Sequence, residues 1–363
     1  MQTSALIPSA NGTGTIVAGI NCDTIEYVQR YSPIVLTQIA QFLFAYTSAS
    51  LIIGARAIQQ QAYFHPNVKV LLKTYHAAVL MYGFALGTAQ IYHILTALSY
   101  ENCELLISCR LCFGFRLIIT TCVIMFSLLL FAITVERTVA TRNLGRGYEN
   151  QRGSLGRLLS FLVVTFSVFY SMWYHWIDIY DRTCTHCVYD KHIMVPTELM
   201  NVLTVLSMLS LLYTILILLF NKCKLRKKSY SLAIEFQINQ NLRVLHLILP
   251  LSFLTFLAFC WYTASPYYID LSLDSEVEIR QFHEMVQNVF PVYTLLVSSL
   301  WLAMMYMEKK KKRIGSMLPE LRKDEKDLYF QTLNDQWSRV PSQKPGRLQI
   351  LSVFSVPSSS LTS

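Results

Sequence analysis

The chain has 363 residues, of which 53% are hydrophobic and only 15% charged, and its formal net charge is +9. Soluble domains carry nearer a quarter charged residues, so this composition, with a mean hydropathy of +0.38, excludes an ordinary soluble domain and points to a polytopic membrane protein. The excess of lysine and arginine suits the cytosolic face of such a protein, and nucleic acid is not an expected partner.

Residues 1–33 form the expected N-terminal segment. Its first 22 residues are interrupted by Ser, Thr, Gly, Asn and Pro, and they lack the basic start and oily core of a cleaved signal peptide. They contain the one N-glycosylation acceptor, Asn11-Gly12-Thr13. Seven charge-free stretches follow, between Arg30 and Arg56, Lys73 and Glu101, Arg116 and Glu136, Arg157 and Asp178, Glu198 and Lys222, Arg243 and Asp270, and Glu284 and Glu308. Each is roughly 19–27 residues long, enough to cross a ~30 Å hydrocarbon core as a helix. The spans are expected at about 34–55, 74–98, 113–135, 158–177, 199–221, 244–264 and 285–307. The helix bundle then covers residues 34–308, and a tail covers 309–363. The fold class is an all-α, seven-transmembrane helix bundle, because a backbone in lipid must satisfy its own hydrogen bonds.

Particular residues mark the spans in order. The third begins near Cys112 and Arg116 and stops in "AITVERTVAT", residues 132–141, where Glu136-Arg137 follows an oily run. The fourth ends in "FYSMWYHWIDIY", residues 169–180, an aromatic cluster suited to an interfacial belt. "CTHC" at 184–187 is a single cysteine pair and does not make a metal site. Cys223 follows the fifth span in "NKCKLRKK", where a juxtamembrane cysteine beside basic residues is either a palmitoylation site or a plain free thiol. Pro250 lies in the first half of the sixth span, a kink site, and the seventh carries "NVFPVY" at 288–293. The tail has a short helical pattern near Leu318–Leu333.

Loop charge sets the expected orientation. One side collects Arg56, Lys69 and Lys73, the run from Arg137 to Arg157, the run from Lys222 to Lys228, and "EKKKKR" at 308–313. The other collects acids, among them Asp23, Glu26, Glu101, Glu104, Asp178, Asp181, Asp270 and Asp274. The positive-inside rule therefore puts the N-terminus outside and the C-terminus in the cytosol. Asn11 then falls outside, where glycosylation occurs.

Six of nine cysteines fall on or near the outer side: Cys22, Cys103, Cys109, Cys112, Cys184 and Cys187. An oxidising compartment favours disulfides there, and six cysteines allow 15 connectivities. Cys112 and Arg137 are 25 residues apart, roughly 37 Å of helix, so Cys112 caps one end of the third helix and Arg137 the other. A bond from Cys112 to Cys187 or Cys184 would tie the second outer loop to that helix.

A ligand pocket is expected between the outer halves of the helices, where bundles commonly hold ligands. Its candidates are Arg116, Thr120, Glu198, Asn201, Trp261, Tyr262, His283, Gln287, Asn288 and Tyr293. Arg116 lies one turn beyond Cys112; an ionisable residue near membrane depth is either functional or reaches to lipid phosphates. His93 and His175 suit packing better than ligation. Neither a Gly-rich phosphate loop nor a histidine–glutamate zinc helix occurs, so no enzymatic activity, cofactor or metal is expected.

Several segments together resemble the nematode serpentine receptors, and within them the class alpha/beta chemoreceptors. They are "FHPNVKVLL" at 64–72, "ENCELLISCRLCFGFR" at 101–116, "VERTVAT" at 135–141 with "GYE" at 147–149, and "SLAIEFQINQNLRVLHLILPL" at 231–251. The sister classes alpha and beta share much of this pattern. The resemblance implies a seven-helix, G-protein-coupled chemosensory receptor in the plasma membrane of a sensory neuron. Its partners would be a small-molecule ligand, membrane lipids and a heterotrimeric G protein, with Arg137 at the base of the coupling cavity. Glu136 would neutralise Arg137 at rest, and Glu235, before the sixth span, is a second candidate partner. A transporter or a ligand-gated channel of seven-helix topology are the alternatives; the first would show repeated broken spans, and insect-type channels place the N-terminus inside. The chain departs from rhodopsin-like receptors: the third-span motif is Glu-Arg-Thr, and "CW" at 260–261 lacks the proline two residues on.

Overall fold

The computed structural model describes residues 30–59, 64–100, 107–144, 153–176, 197–226, 232–272, 282, 285–307, 309 and 310, together with short strands at 7–8, 15–17, 20–21 and 183–184. Seven helices are long and apolar enough to cross a membrane. They are α1 (Ser32–Gln59), α2 (Pro66–Ser99), α3 (Cys109–Arg142), α4 (Ser154–His175), α5 (Thr197–Arg226), α6 (Leu232–Ser272) and α7 (Met285–Met307). Asn11, Cys187, His283 and the tail helix near Leu318–Leu333 lie outside the described residues.

The helices run past the charge-free stretches that revealed them. The window for the second span opens near residue 74, yet α2 begins at Pro66, with His65 as N-cap accepting a hydrogen bond from the backbone N–H of Asn67. Proline at the first helical position needs no donor, so the start is fixed by capping and not by hydropathy. The window for the sixth opens near 244, but α6 extends back to Leu232. Charge marks the edge of hydrocarbon; helices continue beyond it because helical hydrogen bonds are equally good at the headgroups.

Short strands flank the helices. β1 (Ile7–Pro8), β2 (Thr15–Val17) and β3 (Ile20–Asn21) pair antiparallel in sequence order. β4 (Ile107–Ser108) pairs with β5 (Thr183–Cys184), Ile107 opposite Cys184, immediately before α3. The sequence offered no alternating pattern long enough to show any of them.

α3 is the central helix. It packs against α2, α4, α5 and α6, and 72% of its most apolar window is buried, against 28% for α4. α4 leaves Phe161, Phe169 and Trp173 exposed, as a helix on the lipid side does. The apolar core joins Val68, Leu71 and Val79 of α2 to Ile124, Phe126 and Leu129 of α3, Val244 and Leu251 of α6, and Val297 of α7. In lipid the hydrophobic effect cannot drive this packing, so close approach and polar ties must. Gly83 supplies approach: a Cβ there would sit 2.8 Å from the carbonyl oxygen of Ala45 on α1. Gly156 does the same for α4, pressed against the backbone of Asn67, whose Oδ1 accepts its N–H at 3.0 Å. Buried hydroxyls return to their own helix: Thr134 donates to Leu130, Thr214 to Ser210 and Thr255 to Leu251. That pattern meets the need for internal satisfaction of polar groups.

Candidate functional site

The end of the bundle carrying Arg137 holds a buried polar network. Glu136 and Arg137 are 0% and 1% exposed. Neighbouring helix residues point about 100° apart, so the pair meets only because the long arginine folds back. Its Nε and Nη2 donate to the two carboxylate oxygens of Glu136, both at 2.5 Å. This two-pronged fit is the geometry in which arginine serves carboxylates best. The remaining fork reaches α6: Nη1 donates to Oδ1 of Asn241 at 2.7 Å.

The network extends to two more helices. Asn221 at the end of α5 donates to Thr141 Oγ1 at 3.2 Å, and Asn241 Nδ2 lies 3.5 Å from the same oxygen. His65, at the start of α2, brings Nδ1 to 3.8 Å from Glu136. A buried charge pair holds only where its remaining donors and acceptors are satisfied, and here helices α2, α3, α5 and α6 contribute. Beside the pair lies a cavity of about 20 Å³, bounded by His65, Arg137, Gln237, Gln240 and Asn241, which is room for one water molecule. Glu235, the expected second partner, is exposed on the first turn of α6. Asn241, nearly two turns further along α6, meets Arg137 instead. Its signal in the sequence was an asparagine at the start of an oily helix, a residue type that ties helices together.

Midway along the bundle a second network crosses three helices. Tyr293 of α7 shares a 2.5 Å hydrogen bond with Tyr75 of α2 and a 2.9 Å one with Thr255 of α6. Phe126 of α3 packs its ring on both tyrosines, with centroids 5.9 and 5.4 Å away. Sequence reasoning found Tyr293 and missed Tyr75 and Thr255.

Toward the Cys112 end the pocket candidates divide. Cys112 is disulfide-bonded and fully buried, and β5 packs on the start of α3. Arg116 is buried one turn below, and Thr120 hydrogen-bonds His175 of α4 at 3.0 Å. Glu198 and Asn201 are exposed on α5. Tyr262 packs on Phe290 with ring centroids 5.2 Å apart. Trp261, Asn288 and Tyr293 line one cavity between α6 and α7, while the side-chain oxygens of Gln287 and Asn288 have no hydrogen-bond partner among the described residues. The structure thus gathers three of the ten candidates in one place. Cys122, Cys223 and Cys260 are free thiols, Cys223 exposed beside Lys222 and Lys224. Among the described residues no group of His, Cys, Asp and Glu is placed to hold a metal.

Seven membrane-length helices packed about α3 define a multi-pass membrane protein. The chain belongs to the family described as serpentine type 7TM GPCR receptor class ab chemoreceptor, whose model matches residues 19–338. It is similar to serpentine receptor class beta-3 of Caenorhabditis elegans, 26% identical over 249 residues, which is 65% of this chain and 70% of that one. It is also similar to serpentine receptor class beta-1 of the same organism, 31% identical over 102 residues, 28% of this chain and 30% of that one. The family is a class of chemoreceptors, not of enzymes.

Proposed function

We propose that this receptor binds a small external ligand at the Cys112 end of its bundle and activates a heterotrimeric G protein at the Arg137 end. The observation that carries the reading is the tie from Arg137 on α3 to Asn241 on α6. It closes one end of the bundle around a buried charge pair. A ligand that favours a packing with α6 displaced would break this tie and free the Nη1 edge of the guanidinium for a partner, with Glu136 still held. The helix ends there are basic, with Arg142 of α3, Arg157 of α4, and Lys222, Lys224 and Arg226 of α5, and they suit an acidic intracellular surface.

The same charge distribution supports an N-terminus outside and a C-terminus in the cytosol, and membership of a chemoreceptor family supports a place in the plasma membrane of a sensory neuron. On that orientation Asn11 is glycosylated and Cys112 is bonded to Cys187 in the second outer loop, with Cys184 as the alternative. The pairing of β4 with β5 supports a tie of that loop to α3, because it brings chain adjoining both cysteines to the start of the helix. Cys223 is the candidate for palmitoylation. Screening ligands in cells carrying a promiscuous G-protein reporter tests the reading. A ligand response lost in Arg137→Ala at matched surface expression is the expected result; ligand-evoked current in cells without G-protein signalling would point to a channel instead.

A further inference from the structure

The outward face of α6 changes character partway along. Glu235, Asn239, Arg243 and His246 are exposed and spaced three and four apart, so they form one stripe. The stripe continues as Phe253, Leu257 and Trp261, which are also exposed. Polar side chains thus give way to apolar ones just after His246. Depth is fixed by Asn221 of α5 and Asn241 of α6, which both reach Thr141 Oγ1 and so stand level. His246 lies five residues along α6 from Asn241, roughly 7 Å toward the middle of the span. On the neighbouring helix, α5 exposes Leu219 and Phe220 just above Lys222. An imidazole therefore stands among hydrocarbon-facing side chains, on the outer surface of a helix long and apolar enough to cross a membrane.

Cations gather around that ring. Arg243 precedes it by one turn on the same stripe. Lys222 of α5, exposed, lies across the seam between the two helices and within electrostatic reach of His246. Arg226 follows Lys222 by one turn and is exposed too. Among the described residues no carboxylate pairs with Lys222, Arg226 or His246, and Glu235, the acid on the stripe, stands two turns from Arg243. Like charges facing each other across a seam repel, and more strongly at the edge of hydrocarbon than in water. Lysine and arginine can bend toward water, but a histidine side chain is too short to follow them. Its partner has to come to it, and an acyl chain offers an ionisable ring nothing. The counter-charge is therefore anionic and sits at the edge of the bilayer, where lipid headgroups are. A soluble acidic partner would meet Arg226 and stop short of His246.

We infer that the α5–α6 seam at the Arg137 end binds a phosphoinositide, a phospholipid whose headgroup carries phosphomonoester groups, with Lys222, Arg243 and His246 on its phosphates and its acyl chains along Phe220 and Phe253. A bridging phosphodiester alone brings a single negative charge and leaves most of these cations unbalanced. Each phosphomonoester adds about −1.5 to −2 more, and a guanidinium grips phosphate oxygens with a fixed fork. A headgroup spanning the seam joins α5 to α6 on the outside of the bundle, level with the place where Asn221 and Asn241 meet Thr141 on the inside. The inference rests on the cytosolic placement of the Arg137 end proposed above, because basic clusters of this kind meet such lipids in the cytosolic leaflet. Binding itself is measured without reference to orientation.

The test is native mass spectrometry of the full-length receptor released from detergent micelles, with phosphatidylinositol bisphosphate and phosphatidylserine offered together. The bisphosphate lipid is expected to dominate the bound population. Lys222→Gln combined with Arg243→Gln should weaken its binding about twenty-five-fold, at about five-fold per cation removed. His246→Phe keeps an aromatic ring facing the lipid and should weaken binding several-fold; if the double variant fails to fold, this single variant carries the test. Lys69→Gln combined with Lys73→Gln removes the same charge from α2 and should leave binding unchanged. Added bisphosphate lipid should also raise the thermal midpoint of the unaltered receptor and not that of the seam double variant. Equal loading of the two lipids, equal losses from the α2 pair and the seam pair, or undiminished binding by His246→Phe would each overturn the inference. An N-terminal tag found on the cytosolic side would overturn the orientation and leave a selective seam in place.

Discussion

Nη1 of Arg137 on α3 donates a 2.7 Å hydrogen bond to Oδ1 of Asn241 on α6, while its other two donors grip Glu136. One guanidinium therefore holds an internal charge balance and a bridge between two helices. Breaking the bridge leaves the Glu136 contact intact, so α6 can part from α3 without stranding a bare charge in the bundle. That separation of roles makes the end of the bundle able to open.

Arg137→Ala is predicted to reach the cell surface and to lose G-protein signalling. Removing the arginine leaves Glu136 buried beside an empty space, at a cost of about 3–5 kcal/mol, so the purified protein should also melt earlier. Glu136→Gln keeps the shape and removes the neutralising charge, and its expected effect is higher basal signalling. Reporter activity normalised to surface antibody counts checks both.

Tyr293→Phe deletes the hydroxyl that Tyr75 and Thr255 share. Thr255 keeps its bond to Leu251, but the buried Tyr75 hydroxyl loses its 2.5 Å partner. A buried group left unsatisfied costs about 1–3 kcal/mol. Thermal unfolding in detergent should show a lower midpoint for Tyr293→Phe than for Tyr46→Phe, which alters no buried hydroxyl network. An unchanged midpoint would remove this network from the account.

Gly156→Ala is expected to push α4 off α2, because the new methyl meets the backbone of Asn67 rather than a movable side chain. Overpacking of this kind costs roughly 1–3 kcal/mol. Surface expression of Gly156→Ala should fall well below that of Gly54→Ala, whose Cβ meets nothing within 4 Å.

Mass spectrometry of the non-reduced protein should find Cys112 linked to Cys187 or Cys184, and a glycan at Asn11. A Cys112 peptide linked only to Cys22 or Cys103 would contradict the loop assignment. An N-terminal tag reached by antibody only after permeabilisation would contradict the orientation.

The seven spans were legible because hydrocarbon excludes charge, and Glu136-Arg137 stood out because it interrupts that exclusion. Asn241 was not legible as the α6 partner. Whether Asn241 or Glu235 meets Arg137 depends on the rotation of α6, and a helix in lipid has no single apolar face from which to read rotation. The cavity between α6 and α7 was hidden for a similar reason: Trp261, Asn288 and Tyr293 suggested a pocket, but only packing shows that they line the same one. The short strands β4 and β5 are too brief for any alternation to appear.

The bridge from α3 to α6 is tested most directly by the basal signalling of Asn241→Ala, alone and combined with Arg137→Ala. A hydrogen bond to a charged group is worth about 1.5–3 kcal/mol, and 1.4 kcal/mol is a factor of ten in an equilibrium. The account predicts that Asn241→Ala raises basal reporter activity about ten-fold at matched surface expression, and that adding Arg137→Ala abolishes the increase. Basal activity unchanged in Asn241→Ala, or an increase that persists in the double variant, would contradict it.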